Sequence, residues 1–367
     1  MSGIEERPRP ANSLDPQTAA AVGSLLDSVG ATQHRDLLAD IIAVALGLAS
    51  QPTERLDLKI IRAAITEMGE ANRVFAPYRS IPKVTMFGSA RTLPEDPLYA
   101  QAKELAARLA AQGWMVITGA GPGIMAAGLE GAGRERSFGI NIRLPAEQGA
   151  NSVIAEDPKL VEMKYFFTRK LMLMKETDGF AILPGGFGTQ DEAFELLTLT
   201  QTGKSQPAPI VLVDVPGGTY WHRWQHWVEE ELVARGLVSK EDLSLYRITD
   251  SVDMAATELL SFYRNYHSSR FVGNQLVIRL RKAPGPERLA ELSERFAEIC
   301  DHRGIHLVHA MAPERAEGDH LDLERVALRF DRHHYGRLRQ LIDALNDEVP
   351  ARQTPTSPPD KTPLAPA

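Results

Sequence analysis

Residues 179–192 read GFAILPGGFGTQDE, a short apolar run that passes through a glycine-rich turn into an amphipathic segment. An apolar run of this length, bounded by a turn, is typical of a buried strand. The residues after the turn have the apolar spacing of a helix. This stretch therefore predicts a strand that leads directly into a helix, which is the repeating unit of parallel sheets.

The same alternation of short apolar runs and longer amphipathic runs extends on both sides, from residue 83 to about residue 267. It predicts an α/β fold with a doubly wound parallel sheet of the Rossmann-like type, in which ligands bind at the carboxyl ends of the strands. The predicted strands are residues 84–87, 115–118, 138–142, 179–183 and 210–213, and the predicted helices are residues 98–112, 124–133, 165–177, 189–202 and 220–235.

The two flanks of this central stretch have other patterns. Helical spacing between residues 15 and 79 predicts an N-terminal helical extension, and a mixed pattern after residue 268 predicts a small C-terminal α+β unit. The last 18 residues include six prolines and few large apolar side chains, which predicts a disordered tail. The predicted domains are residues 1–80, 81–267, 268–348 and 349–367.

The C-terminal unit is predicted to contain its own elements and its own core. The predicted strands are residues 276–280, 305–309 and 323–330, and the predicted helices are residues 286–302 and 335–346. The expected core residues are Leu276, Ile278, Leu289, Phe296, Val326, Leu328, Leu338 and Ile342.

The composition is that of an ordinary globular protein, with 367 residues, 43% hydrophobic, 24% charged and a net charge of -7. The acidic balance argues against nucleic acid or an anionic membrane surface as a partner. The single cysteine, Cys300, cannot form an internal disulfide, and the first residues lack the apolar core of a signal peptide. No apolar run approaches the roughly 20 residues that cross a bilayer. We therefore expect a cytoplasmic protein.

Three predicted strands end in glycine-containing turns, at residues 87–91, 118–125 and 183–189. Glycine lets backbone N–H groups approach an anion closely, and the start of a following helix adds partial positive charge. Each turn alone is also explained as a tight connection, but three turns on one sheet edge indicate a phosphate site. The candidate residues in these turns are Gly88, Ser89, Gly119, Gly121, Gly123, Gly185, Gly186, Gly188 and Thr189.

Two common phosphate ligands are disfavoured by what the sequence lacks. Residues 121–126 fit a relaxed dinucleotide fingerprint, but the end of the next strand, at residues 141–145, lacks the carboxylate that binds an adenosine ribose. Residues 203–205 read Gly-Lys-Ser, yet Thr198 stands where a P-loop requires glycine. Neither NAD binding nor ATP hydrolysis is therefore expected.

Residues 184–192 match the pattern PGGxGTxxE, and Arg169 and Lys170 precede them on a predicted helix. Together with the first two turns and residues 200–204, these motifs resemble the LOG (Lonely Guy) family from about residue 83 to residue 267. LOG enzymes are phosphoribohydrolases that release the base from cytokinin riboside or purine nucleoside 5'-monophosphates. Many members carry the older label "possible lysine decarboxylase", which no lysine motif of cofactor type supports in this sequence.

The resemblance implies roles for individual residues. Glu192 would be catalytic, acting on the ribose, on the oxocarbenium-like transition state or on its water, and Arg169 would assist the reaction and help to hold the nucleotide. The 5'-phosphate would lie against the turn at residues 185–189, with Met125 and Lys170 also in the pocket. The reaction would use no metal and no redox cofactor.

The two implied catalytic residues also have ordinary structural explanations. Thr189 and Glu192 have the spacing of a capping box, in which the threonine caps a helix and the glutamate bonds back to its N–H group. For Arg169 the ordinary explanation is a solvated or helix-capping cation. The rest of the family pattern favours the catalytic interpretation.

Two hypotheses follow for function and one for assembly. The leading hypothesis is a nucleoside 5'-monophosphate hydrolase, and the alternative is a non-catalytic nucleotide-binding, carrier or regulatory protein on the same fold. The resemblance also implies at least a homodimer. The apolar stripe Met172, Leu173 and Met174 is expected to contribute to its interface.

Overall fold

The computed structural model describes residues 14–143 and 149–349, so the predicted tail at 349–367 lies almost wholly outside the described residues. The chain divides into two compact units, Met1–Thr66 and Glu67–Ala367. The described part of the first unit is helical, as predicted. Its elements are α1 (Pro16–Ser28), α2 (Arg35–Gly47) and the first part of α3 (Arg55–Phe75), which continues into the second unit.

The second unit contains a seven-stranded parallel sheet, which confirms the predicted fold class. Its strands are β1 (Lys83–Phe87), β2 (Met115–Thr118), β3 (Ser137–Ile142), β4 (Leu160–Met163), β5 (Gly179–Ile182), β6 (Ile210–Val213) and β7 (Arg247–Thr249). Their spatial order is β4-β3-β2-β1-β5-β6-β7. The order reverses between β1 and β5, and such a switch point opens a crevice at the carboxyl ends of the strands.

The sequence did not predict β4 and β7, which are the two edge strands of this sheet. Both are short, and each exposes a charged side chain, Glu162 in β4 and Arg247 in β7. Central parallel strands are buried on both faces and form continuous apolar runs, whereas these edge strands do not.

Helices cover both faces of the parallel sheet because alternate strand residues point to opposite sides. Val84 and Met86 pack with one helical layer, and Phe87 packs with the other. The first layer contains α4 (Pro97–Ala111), α5 (Ile124–Ala132) and α9 (Val252–Ser261). The second contains the end of α3, α6 (Phe166–Lys175), α7 (Phe187–Gln201) and α8 (Tyr220–Trp227).

One prediction about these helices is wrong. Met172 and Leu173 are fully buried in the second layer, so the stripe expected at a dimer interface packs into the core instead. The helix predicted for residues 220–235 is present: α8 extends to Trp227 and continues as a π-helical segment, Val228–Val233.

A four-stranded antiparallel sheet of order β10-β11-β9-β8 forms the C-terminal part of the second unit. Its strands are β8 (Tyr266–Val272), β9 (Gln275–Leu280), β10 (His306–Leu307) and β11 (Glu324–Leu328), and its helices are α10 (Pro286–Arg295), α11 (Ala312–Glu317) and α12 (Tyr335–Asn346). The sequence did not predict β8, and β10 is shorter than expected.

The expectation of a separate C-terminal core is wrong. All eight predicted core residues are buried, but they belong to the same cluster as the first helical layer of the parallel sheet. Phe262, Tyr263 and Tyr266 lie in mutual ring contact where α9 leads into β8. These buried rings leave no solvated linker there, so the two cores are continuous.

Within the residues that the structure describes, no helix has both the length and the apolarity that a bilayer crossing requires.

Candidate functional site

A cavity of about 1290 Å³ opens at the carboxyl ends of the central strands, where the sheet order reverses. All three predicted glycine turns contribute to its wall. The predicted site residues that line it are Gly88, Ser89, Gly119, Gly121, Met125, Arg169, Gly185, Gly186, Gly188, Thr189 and Glu192. Gly123 and Lys170 are not among the lining residues.

Gly123 joins the turns that follow β1 and β2. Its φ is +67°, and a Cβ at this position would lie 2.2 Å from the Ser89 carbonyl oxygen. The next residue, Ile124, donates its N–H to that same oxygen at 3.0 Å. The absence of a side chain at Gly123 therefore lets two turns pack together, and the residue shapes the wall of the cavity without facing it.

Arg169 lies across the turn that follows β2. Its Nε donates to the Ile140 carbonyl oxygen at 2.9 Å. A Cβ on Gly119 would lie 2.0 Å from the Nη2 atom of Arg169, so only glycine leaves room for the guanidinium there. The charge of Arg169 is thereby fixed at the cavity wall.

A residue that the sequence analysis missed, Glu67, holds the start of the helix that carries Arg169. The buried Glu67 carboxylate accepts the Lys164 N–H at 3.0 Å and the Thr168 hydroxyl at 2.5 Å. Glu67, Ala71 and Phe75 are the buried residues of α3 and are spaced by four. A glutamate in an otherwise apolar stripe was the signal that could have revealed it.

The glycine-rich turn after β5 opens the N-terminus of α7 to the cavity. The N-cap is Gly186, and no side chain caps this helix within the described residues. A Cβ at Gly186 or Gly188 would meet nothing within 4 Å, so neither glycine is required by packing against the protein. Unsatisfied N–H groups in a first helical turn, together with the helix dipole, form an anion site.

The capping-box explanation of Glu192 is wrong, because the helix starts earlier than predicted. Thr189 is the third residue of α7 and its N-cap is Gly186, so Thr189 does not occupy the capping position. Glu192 lies one turn further along the same helix. Its half-buried side chain lines the cavity.

Burial raises the pKa of Glu192 to about 7, although the nearby charges of Arg169 and Lys170 act to lower it. Its neighbours Asp191 and Glu195 add to the increase. A glutamate with this pKa exchanges its proton near neutral pH, which suits a group that accepts or donates protons during a reaction.

The side chain of Lys170, on α6, contacts α7 and does not line the cavity. Its ammonium group pairs with Asp191 at 2.6 Å and with Glu195 at 2.7 Å. It thus contributes positive charge near Glu192 without facing the cavity.

No cluster of three or more His, Cys, Asp or Glu side chains suited to a metal ion occurs within residues 14–143 and 149–349.

The comparisons with known proteins concern this central region. Residues 122–259 match the family model described as "possible lysine decarboxylase". The cytokinin riboside 5'-monophosphate phosphoribohydrolase of Mycobacterium tuberculosis is 28% identical over 163 residues, which are 43% of this chain and 84% of that protein. These matches confirm the resemblance inferred from the sequence.

Solved structures also resemble part of the chain. A molybdenum cofactor carrier protein from Chlamydomonas reinhardtii is 18% identical, with a TM-score of 0.34, and the match covers 48% of this chain and 94% of that one. DNA processing protein A from Helicobacter pylori is 15% identical, with a TM-score of 0.35, over 49% of this chain and 81% of that one. TM-scores this low carry no inference about function.

Proposed function

We propose that this protein, whose central part resembles the LOG family, hydrolyses the N-glycosidic bond of purine or cytokinin-type nucleoside 5'-monophosphates. The products would be the free base and ribose 5-phosphate. The observation that carries the proposal is Glu192: a half-buried carboxyl with a pKa of about 7, in the same cavity as an open helix N-terminus and Arg169.

The phosphate would bind at the start of α7. Gly186 and Gly188 leave space there, and the first-turn N–H groups are suited to a dianion. Glu192 lies one turn further along the helix, so the ribose would bind between the two groups. Phosphate binding would then supply energy that holds C1' against the carboxylate.

The proposed reaction requires from the protein a negative charge near C1' and a fixed position for the substrate. The bond from C1' to the base breaks, and positive charge builds up on C1' and the ring oxygen. The ionised Glu192 would stabilise that charge and take a proton from the attacking water, and a proton released to or through the solvent in the same turnover would neutralise the departing base, so that Glu192 returns to its ionised form. Arg169 would hold the nucleotide. The reaction is a hydrolysis, so no electrons are transferred.

We further propose that two copies of the chain associate near the cavity, in place of the interface expected at Met172 and Leu173. Phe166, Phe167 and Leu171 of α6 are exposed, and Phe187 at the cavity mouth is 96% exposed. Apolar side chains grouped in this way mark an association surface. Light scattering should give at least a dimer mass, and a monomer would refute this part of the proposal. The cytoplasmic location stays a prediction from the sequence.

A panel of nucleotides tests the activity. The protein should release free base from AMP or another purine monophosphate, and the panel shows which base is preferred. Adenosine, which lacks the phosphate, should react with a kcat/KM lower by about a hundredfold, because the binding energy of the phosphate is lost. Equal values for AMP and adenosine would contradict a phosphate site at α7. Binding of AMP without release of base would favour the non-catalytic alternative.

A further inference from the structure

We propose that Tyr220 is a positioning residue that fixes the phosphate-binding turn, an inference that rests on the proposed function. Tyr220 is half-buried, begins α8 and lines the cavity. Its hydroxyl donates to the Gly185 carbonyl oxygen at 2.6 Å and accepts from the Gln190 side-chain amide at 2.7 Å. One phenol therefore joins the glycine turn to the first turn of α7.

Tyr220 is itself anchored to the parallel sheet. Its N–H donates to Oδ2 of the buried Asp214 at 2.9 Å, directly after β6, and Oδ1 of Asp214 accepts the Val215 N–H at 2.9 Å. A Cβ on Gly218 would lie 2.3 Å from this carboxylate, so only glycine leaves room for it. Tyr220 is thus anchored by Asp214, which follows β6 and does not belong to the glycine-rich turn after β5.

The effect on the turn follows from the geometry of the peptide bond. The Pro184 carbonyl oxygen accepts the Ser89 N–H at 3.1 Å, and the next carbonyl, that of Gly185, accepts from Tyr220. In a trans peptide the C=O and the following N–H lie in one plane and point in opposite directions. Fixing the Gly185 carbonyl therefore fixes the Gly186 N–H, and the bond to Tyr220 also occupies an oxygen that would repel a phosphate.

Gln190 provides the helix end of this link. Its Nε2 donates to the phenol at 2.7 Å, while its Oε1 is buried and has no hydrogen-bond partner among the described residues. The bond between Gln190 and Tyr220 therefore ties the helix start to the turn.

Tyr220→Phe removes the hydroxyl and keeps the ring. We expect the Kd for ribose 5-phosphate and for inorganic phosphate, measured by calorimetry, to rise about five- to tenfold, which corresponds to the loss of one or two hydrogen bonds. The KM for a nucleotide substrate should rise by a similar factor, while kcat changes less than about twofold.

Tyr263→Phe is the matched control. The Tyr263 hydroxyl donates to the Asp178 carbonyl oxygen at 2.8 Å, so the variant removes a bond of the same kind, and Tyr263 does not line the cavity. We expect it to lower stability but to leave phosphate binding unchanged.

The outcomes separate this inference from the proposed function. If the wild type binds phosphate but releases no base from any nucleotide, the proposed function fails, and calorimetry still decides the role of Tyr220. An unchanged Kd in Tyr220→Phe, an equal rise in Tyr263→Phe, or no phosphate binding by the wild type would each overturn the inference.

Discussion

Two glutamates in this protein show how the surroundings of a carboxyl decide its use. Glu314, in the C-terminal sheet region, is fully buried and accepts hydrogen bonds from Arg279, Arg325 and the Met311 N–H. Burial acts to raise its pKa, but these bonds outweigh burial and the pKa is lowered. Glu192, at the cavity, is half-buried and its pKa is raised to about 7.

The difference is in the hydrogen bonds. The Glu314 carboxylate accepts from four N–H groups at 3.0–3.2 Å, two of them on Arg279, whereas no hydrogen bond to the Glu192 carboxylate is found among the described residues. Arg169 and Lys170 act on Glu192 only through their charge. A carboxyl whose hydrogen-bonding capacity is filled by the protein stabilises the fold, whereas a half-buried carboxyl with no hydrogen bond from the protein is available to a ligand.

The largest effect is expected from Glu192→Gln. The amide keeps the size of the side chain but loses the charge, so base release from AMP should fall about a thousandfold or more while AMP still binds. Steady-state kinetics and calorimetry measure the two quantities. Glu258→Gln is the control, because Glu258 is a half-buried helical glutamate that does not line the cavity. Near-normal turnover in Glu192→Gln would refute the catalytic role.

Glu314→Gln should act on stability instead of activity. It leaves Arg279 and Arg325 buried without their shared carboxylate, and breaking such a pair costs about 3 kcal/mol of unfolding free energy. Urea denaturation measures the loss. Activity per folded molecule should stay the same, and a selective loss of kcat would show that the contrast between the two glutamates is wrong.

The smallest effect is the dependence on pH. The folded protein holds the Glu192 proton up to a pKa of about 7, compared with the ordinary value of 4.5. Between these values the folded state binds more protons, so the contribution of Glu192 to the unfolding free energy falls as pH rises. That fall should be present in the wild type and absent in Glu192→Gln.

The activity should change in the opposite direction, because the ionised carboxylate is the proposed reactive form. Below about pH 7, kcat/KM should decrease up to about tenfold per unit, through the ionisation of the free enzyme. The phosphate of AMP itself titrates near pH 6. The two ionisations are distinguished by comparing pH profiles. The ionisation of Glu192 should be absent from the pH profile of the residual activity of Glu192→Gln, whereas that of the phosphate should remain. A rate that falls as pH rises through 7 would instead indicate an acid role for Glu192.

The local pattern of apolar residues and glycines was sufficient to predict the central strands and the three glycine turns. Buried parallel strands are continuous apolar runs, and glycine marks places where backbone approaches backbone, as Gly123 approaches the Ser89 carbonyl. The edge strands β4 and β7 were not predicted because they are short and each includes an exposed charged residue, so neither forms a continuous apolar run.

The candidate site was only partly visible in the sequence. The motif located Glu192 and Arg169, but it also suggested Lys170, whose side chain turns towards Asp191 and Glu195. Nothing in the motif pointed to Tyr220 or Glu67, whose side chains each form two hydrogen bonds to the elements around the cavity. Contacts between residues far apart in the chain have no fixed spacing, so no local pattern encodes them.

The amino-acid sequence alone was enough to predict the α/β class, the order of the central elements and the edge of the sheet where a ligand would bind. All three depend on apolar period and glycine placement, which are local properties of the chain. Two features appear only in the folded protein: the C-terminal residues share a core with the parallel sheet, and the pKa of Glu192 is raised. Both depend on which distant groups exclude water from a residue, and burial of that kind exists only once the chain has folded.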